Sequence, residues 1–381
     1  MTSQDSTAFF FDVLEIVKTE FQPKDSYLKD GIPTFIIPPV SQLKEKIEHL
    51  RAKLKPKGLE IILKRDDGDL FLQVISLQPR PVRSRGFFRS NLPLLLFILT
   101  IITVMISGYL TSRSYIAVLK ILGRLKVPDE NRYLWELTAL YVISIMGIVG
   151  LHEVGHIIAC RIHHVEASLP IFIPGIPPTG TFGAVIIQKE PILNRDQLFD
   201  IGIMGPLVGF IVSLIVSVLG YSWSEPASLI QFLEVSKVGQ TSLVLPPALF
   251  MLLGPYLFPY PNSFTHFLHP VAIAGWTGTL ITFLNAFPMS QLDGGHVSRA
   301  VLGKEWHSRL SYIMAIIMIL AGWWTMAILV VFFLRVEHSG TLDDVSDLSK
   351  NRKIAGLLLI VIFISCFTLS SESPLWFLIF R

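Results

Sequence analysis

The chain has 381 residues, of which 51% are hydrophobic and only 16% are charged. A soluble protein of ordinary composition has about a quarter of its residues charged, so this composition argues against a purely soluble protein. The net charge of +3 is too small to indicate a nucleic-acid partner. The two cysteines, Cys160 and Cys366, lie in separate apolar stretches, which excludes a disulfide framework and a Cys-x-x-Cys metal site.

Residues 1–78 have the pattern of a small soluble α+β domain. Apolar residues at helical spacing predict one helix around Val13 and Val17 and a second over 43–54. The segment 34–37 predicts a strand, and the segments flanking the turn 66–69 predict two more. No catalytic pattern occurs in this domain. We expect it to be a cytoplasmic scaffold or regulatory module, with a regulatory partner as its ligand.

The rest of the chain is predicted to span a membrane several times. Residues 79–90 form a basic linker before an apolar run over 92–110, which is long enough to cross about 30 Å of hydrocarbon. The arginines of this linker place the N-terminal domain in the cytoplasm by the positive-inside rule. Further apolar segments predict a mainly α, polytopic domain of about six transmembrane helices over 91–381; they lie at 137–160, 198–220, 268–292, 310–334 and 354–370.

Two features fit this topology less simply. Lys120, Arg124 and Lys126 fall on the outer side of the membrane, against the positive-inside trend. The segment 243–258 is apolar but interrupted by prolines and glycine, so it predicts a re-entrant or interfacial piece.

The sharpest chemical pattern is His152-Glu153-Val154-Gly155-His156, near the end of the apolar run 137–160. Histidines at positions i and i+4 share one helical face, so both imidazoles can reach one zinc ion. Glu153 then lies beside a metal-bound water and can take its proton. The alternative is a pair of histidines that form hydrogen bonds inside a helix bundle. Ionisable groups at membrane depth favour a functional site.

A third zinc ligand is expected in the segment 285–296 (NAFPMSQLDGGH). Asp293 follows the apolar run 268–292, and coordination to zinc would satisfy a carboxylate at that depth. Its alternative role is a helix N-cap. The Asn285 amide could hold a peptide backbone or a developing oxyanion, or could form an interhelical hydrogen bond.

A glycine-rich element, Gly180-Thr181-Phe182-Gly183-Ala184, precedes a short predicted strand over 184–187. Glycine allows another backbone to come close, so a strand edge here could hold an unwound substrate by β-augmentation. The alternative is a connecting hairpin that packs against the helices. Either way, the element predicts a re-entrant Gly-rich hairpin in the membrane domain.

The pairing of HEVGH with NAFPMSQLDGG resembles the site-2 protease family of intramembrane zinc metalloproteases. The element at 180–184 and the segment DIGIMGP at 200–206 are similar to that family as well, and the motif details resemble its plant chloroplast branch and prokaryotic relatives. The resemblance covers a catalytic core of about 137–305. It implies that His152, His156 and Asp293 bind one zinc ion and that Glu153 is the catalytic base. Asn285 and Pro288 match that family's Asn-x-x-Pro element, and the residues themselves predict a substrate-binding or oxyanion role for Asn285, Gly180 and Gly183.

The resemblance further implies proteolysis of transmembrane protein substrates from a site that opens towards the cytoplasm. The residues leave two alternative functions to that of a protease: a zinc-binding membrane transporter and a proteolytically inactive membrane adaptor. The first residues have neither a signal-peptide nor a transit-peptide pattern, so we expect an integral protein of a prokaryotic cell membrane.

Overall fold

The computed structural model describes residues 3–66, 68–76, 87–177, 179–237, 248, 265–323, 328 and 340–367. The chain divides into two units. The first contains Met1–Arg85, Pro191–Leu198 and Ser339–Lys350; the second contains Gly86–Glu190, Phe199–His338 and Asn351–Arg381. Some predicted segments fall outside the described residues. These are most of the linker 79–90, all but one residue of the piece 243–258, most of 310–334 beyond 323, and the end of 354–370.

The first unit is an antiparallel sheet with two helices. Its elements are α1 (Ser3–Lys18), β1 (Asp25–Lys29), β2 (Ile32–Ile37), α2 (Leu43–Leu54), β3 (Leu59–Asp66) and β4 (Asp69–Ser76). The strands lie in the order β1-β2-β4-β3, with Phe35 opposite Leu72 and Leu63 opposite Leu72 on its other side. Both predicted helices and the three predicted strands are confirmed. β1 (DSYLK) was not predicted, because it has too few apolar residues to show a period of two.

Alternation along the strands places one apolar face against the helices. Phe35, Leu63 and Leu72 of the sheet and Leu50 and Leu54 of α2 are completely buried in one core. Burying a side chain of this size contributes about 1.5–3 kcal/mol relative to leaving it exposed. This core therefore accounts for the packing of the sheet against the helices.

Two later parts of the chain complete the first unit. The backbone N–H of Leu63 donates to the carbonyl of Leu342 at 2.8 Å, and that of Leu342 donates to Ile192 at 2.9 Å. Lys44 on α2 pairs with Asp196, with its Nζ 2.5 Å from Oδ2. Segments 191–198 and 339–350 thus belong to this unit, although they come from the part of the sequence predicted as the membrane domain. The domain boundaries 1–78, 79–90 and 91–381 remain a prediction from the sequence.

The second unit is mainly helical. In chain order it has α3 (Phe87–Ile121), α4 (Glu130–Ile162), β5 (Ile171–Pro174), β6 (Thr181–Val185), α5 (Arg195–Ser222), β7 (Glu225–Ala227), α6 (Leu229–Lys237), β8 (Thr265–Phe267), α7 (Pro270–Asn285), α8 (Asp293–Leu302), α9 (Lys304–Leu320) and α10 (Lys350–Cys366). β5 pairs with β6 and β7 pairs with β8, both antiparallel. The predicted strand at 184–187 is therefore displaced, since β6 covers 181–185.

Three described helices are long and apolar enough to cross a membrane: α3, α4 and α5, with 31, 33 and 28 residues in the candidate spans. They match the first three predicted spans. α7 has 16 residues, or about 24 Å of helix, and most of its side chains are buried. A membrane protein is supported, whereas the number of six spans is not confirmed.

Candidate metal centre

The two histidines and the glutamate of the HEVGH pattern lie on α4, two turns before its end. The helix begins after Asp129, whose side chain caps it by accepting a hydrogen bond from the backbone N–H of Arg132 at 3.1 Å. His152, Glu153 and His156 are all buried, with exposed fractions of 4%, 4% and 6%. An apolar helix thus contains three buried ionisable side chains. Burying such groups at membrane depth costs free energy unless they have partners.

Asp293 reaches the same place from the beginning of α8. The N-cap of this helix is Leu292 and Asp293 is its first residue, so the carboxylate is not the N-cap. A Cβ on Gly294 would overlap the carbonyl of Ala286, and one on Gly295 would overlap that of Ser290. The two glycines therefore let α8 fold back closely over the preceding loop, and this close return presents the Asp293 side chain to α4.

The three ligand-type side chains lie close enough to share one metal ion, with one ligand atom of each within 4.8 Å of the others. Nε2 of His152 is 3.1 Å from Oδ2 of Asp293, and Nε2 of His156 is 3.2 Å from Oδ1. The two Nε2 atoms are 3.3 Å apart. Zinc bonds of about 2.0–2.1 Å to tetrahedral ligands would place neighbouring ligand atoms about 3.3 Å apart. Two imidazoles and a carboxylate also leave a fourth position for water, as catalytic zinc sites do. The residues therefore fit a zinc ion.

The tautomer of His156 follows from a backbone contact that the sequence analysis missed. Its Nδ1 is 2.7 Å from the carbonyl oxygen of Ile201 on α5. A carbonyl can only accept, so Nδ1 carries the proton and the lone pair of Nε2 faces the other ligands. A Cβ on Gly205 would overlap that Nε2, and one on Gly209 would lie 2.6 Å from Nδ1 of His152. Glycines spaced along one face of an apolar helix were the signal for this close approach.

Polar contacts from α9 support the helix that carries the carboxylate. Oγ of Ser298 on α8 is 2.8 Å from Nδ1 of His307 on α9, and the backbone N–H of Ser290 donates to Oγ of Ser311 at 3.0 Å. Burial lowers the pKa of His307 to about 4, and the guanidinium of Arg299 acts in the same direction. His307 is therefore neutral at pH 7. These contacts hold the loop and the helix on both sides of the carboxylate.

The structure locates the other predicted residues as follows. Asn285 is the last residue of α7 and is half-buried. Gly180 lies against α3, where a Cβ would be 2.6 Å from Cα of Val104. Gly183 has φ +99°, which favours glycine, and open space beside it. The β5–β6 hairpin packs on α3 through Gly180, while Phe182 on β6 is 60% exposed.

Comparison with known proteins agrees with this centre. Residues 140–329 match the family model described as Peptidase family M50. The chain is 32% identical to the probable zinc metalloprotease EGY1, chloroplastic, of Oryza sativa subsp. japonica, over 61% of this chain and 40% of that protein. It is 30% identical to the protein of the same name from Arabidopsis thaliana, over 58% of this chain and 41% of that protein. It thus spans about two fifths of the length of these plant relatives.

Similarity extends to an archaeon. Zinc metalloprotease MJ0392 of Methanocaldococcus jannaschii is 22% identical over 60% of this chain and 57% of that protein. The solved structure of a site-2 protease from Methanocaldococcus jannaschii is 19% identical, with a TM-score of 0.29, over 62% of this chain and 92% of that one. Residues 140–329, just under half of the chain, thus match peptidase family M50, and the plant and archaeal relatives of the chain are described as zinc metalloproteases.

Proposed function

We propose that this protein is an intramembrane zinc-dependent endopeptidase that hydrolyses peptide bonds in or near the transmembrane segments of membrane proteins. One observation carries the proposal. One ligand atom from each of His152, His156 and Asp293 lies within 4.8 Å of the others, and the two histidines lie near the end of a helix that is apolar and long enough to span a membrane. The relatives described as zinc metalloproteases support the choice of metal and of reaction.

In the proposed reaction, Glu153 is the general base and then the general acid. A zinc ion held by His152, His156 and Asp293 would supply Lewis-acid chemistry, which activates water near pH 7 and polarises the scissile carbonyl. Glu153 follows His152 directly and is buried, so its carboxylate can accept the proton of the attacking water. It then passes the proton to the leaving amine.

Substrate binding is proposed for three further residues. A substrate helix must unwind before its backbone can be attacked, and the unwound strand then needs backbone partners. β6 carries Gly183 and the exposed Phe182, which suits the addition of a strand at its edge. Gly180 would act indirectly, by keeping the hairpin close to α3. Asn285 is the proposed donor to the substrate carbonyl or the oxyanion.

The proposed membrane arrangement keeps the sequence prediction of six spans. The end of α4 that bears the histidines also bears Arg161, and Lys189 follows in the next loop. Basic residues favour the cytoplasmic side, which supports an active site facing the cytoplasm. The N-terminal α+β domain over 1–78 is proposed to bind a regulatory partner on that side. A prokaryotic cell membrane stays a prediction.

The test compares purified wild type with Glu153→Gln in detergent, with zinc content and cleavage of model transmembrane substrates as readouts. We expect about one zinc per chain in both proteins and cleavage by wild type alone, at least about a hundredfold above the variant, because only the proton acceptor has changed. Zinc in both without cleavage would favour the transporter or inactive-adaptor alternative. Folded wild type without zinc would refute the proposal.

A further inference from the structure

Asp200 on α5 has both carboxylate oxygens engaged by side chains of two other helices. Oδ1 accepts a hydrogen bond from Nε of Arg352 at 2.8 Å, and Oδ2 accepts one from Nη2 at 2.5 Å. Oδ2 is also 2.7 Å from Nε2 of His163. The three side chains are only 17–29% exposed. Two parallel hydrogen bonds between guanidinium and carboxylate fix the orientation of both groups.

This network joins three helices close to the metal centre. His163 is the C-cap of α4, seven residues and about two turns after His156. Arg352 lies in the first turn of α10. Asp200 therefore fixes the end of α4 and the beginning of α10 to the same point of α5.

The next residue of α5 contacts a proposed metal ligand. The carbonyl of Ile201 accepts the hydrogen bond from Nδ1 of His156 at 2.7 Å. A shift of α5 by about 1 Å along the direction of this bond, away from His156, would lengthen the bond beyond the usual range of about 3.2 Å. On the other side, Gly205 and Gly209 leave no space between α5 and the two histidine rings. The register of α5 along α4 thus determines the setting of the His156 imidazole.

We propose that Asp200 is a positioning residue for the metal centre. By binding Arg352 through two hydrogen bonds and His163 through a third, it sets the register of α5, which holds the Ile201 carbonyl against His156. This inference rests on the proposed function, because it takes His156 as a zinc ligand. The alternative is an ion pair that stabilises the fold without affecting the metal.

The chain contains a matched ion pair in the second unit for comparison. Arg124 and Glu225 are 2.9 Å apart and 33% and 35% exposed, similar to Arg352 and Asp200. Arg124 and Glu225 are contributed by other segments of the unit, after α3 and in β7. Loss of either pair should have a similar effect on thermal stability, and only loss of the Asp200 pair should change metal binding.

The experiment measures zinc affinity by chelator competition in full-length, detergent-purified protein, for wild type, Asp200→Asn, Arg352→Lys and Glu225→Gln. We expect the Kd for zinc to rise about tenfold in the first two variants, at the low end of the effects known for residues that orient metal ligands. The visible spectrum of the Co²⁺-loaded protein should change in the same two. Arg352→Lys is expected to bind zinc more weakly although it keeps the positive charge, because lysine cannot form two parallel hydrogen bonds to the carboxylate.

The double variant Asp200→Asn/Arg352→Lys should bind zinc no more than about twofold more weakly than either single variant, because both act through one network. Glu225→Gln should keep the wild-type affinity and spectrum. Equal zinc affinity in all variants, with wild type binding one zinc, would overturn the positioning role and leave the proposed function intact. A folded wild type without zinc would refute the proposed function itself. If Asp200→Asn does not fold, the zinc affinity of Arg352→Lys alone tests the positioning role.

Discussion

The two units of the chain differ in where their large hydrophobic side chains lie. In the first unit the interior is hydrophobic, with Leu50 and Leu72 completely buried. In the second unit large hydrophobic side chains are exposed along the helices, with Ile143 at 68%, while the ionisable His152 is 4% exposed and Arg299 is 2% exposed. The exposed hydrophobic side chains of the second unit fit a surrounding of lipid, and the buried ones of the first unit fit a surrounding of water.

The difference has a physical origin. In water, burial of apolar surface at about 25 cal/mol per Å² drives the first unit together. In lipid that driving force is absent between helices, so packing depends on small residues and polar contacts. The interior of the second unit can therefore hold a polar, metal-binding chemistry, provided that each polar group has a partner. The glycines of α5 and the network at Asp200 are the consequences.

The largest expected effect is a loss of zinc affinity when one methyl group is added to α5 beside His156. In Gly205→Ala the new Cβ would overlap Nε2 of His156, so we expect zinc affinity to fall by a hundredfold or more. The control is Gly147→Ala on α4, where a Cβ meets nothing within 4 Å. Zinc content after dialysis measures both. Equal zinc retention by the two variants would contradict the close packing of α5 on the ligand.

Two equally exposed leucines, one in each unit, allow the effect of a charged substitution to be compared between the units. Leu28 on β1 and Leu140 on α4 are both 39% exposed. Leu140→Asp places a charge on a proposed membrane span and should cost up to about 3 kcal/mol, seen as reduced insertion into membranes. Leu28→Asp should change stability by about 0.5 kcal/mol or less, as exposed substitutions in water usually do. The amount of membrane-inserted protein and the thermal midpoint are the measurements. Similar behaviour of the two variants would mean that α4 does not face lipid.

The smallest effect concerns a neutral histidine in the second unit. The pKa of His307 is about 4 in the folded protein and about 6.5 in an unfolded chain. The unfolded state thus binds the proton more readily, so this stability contribution is complete above pH 6.5 and falls as the pH decreases towards 4. Thermal midpoints at pH 7 and pH 5 should differ by a few degrees more for wild type than for His307→Gln. Parallel pH curves would show that His307 does not titrate in this way.

Local patterns account for much of what could be predicted. The helix of the first unit over 43–54, the strands beside the turn 66–69 and the first three membrane helices follow from periodicity and length. β1 was missed because an edge strand with charged residues has no such periodicity. The HEVGH pattern identified a metal-binding face because positions i and i+4 are neighbours on any helix.

The sequence by itself determined which residues can bind a metal, because the chemistry of His152, Glu153, His156 and Asp293 and the helical spacing of three of them are local properties. Only the tertiary structure decided that Asp293, 141 positions after His152, lies within about 3.2 Å of both imidazoles. It also decided that Ile201 and Gly205 surround His156, and that segments 191–198 and 339–350 join the first unit. Contacts between distant segments depend on how helices and loops pack, and a carbonyl or a missing Cβ acquires its role only from the neighbour that packing brings to it.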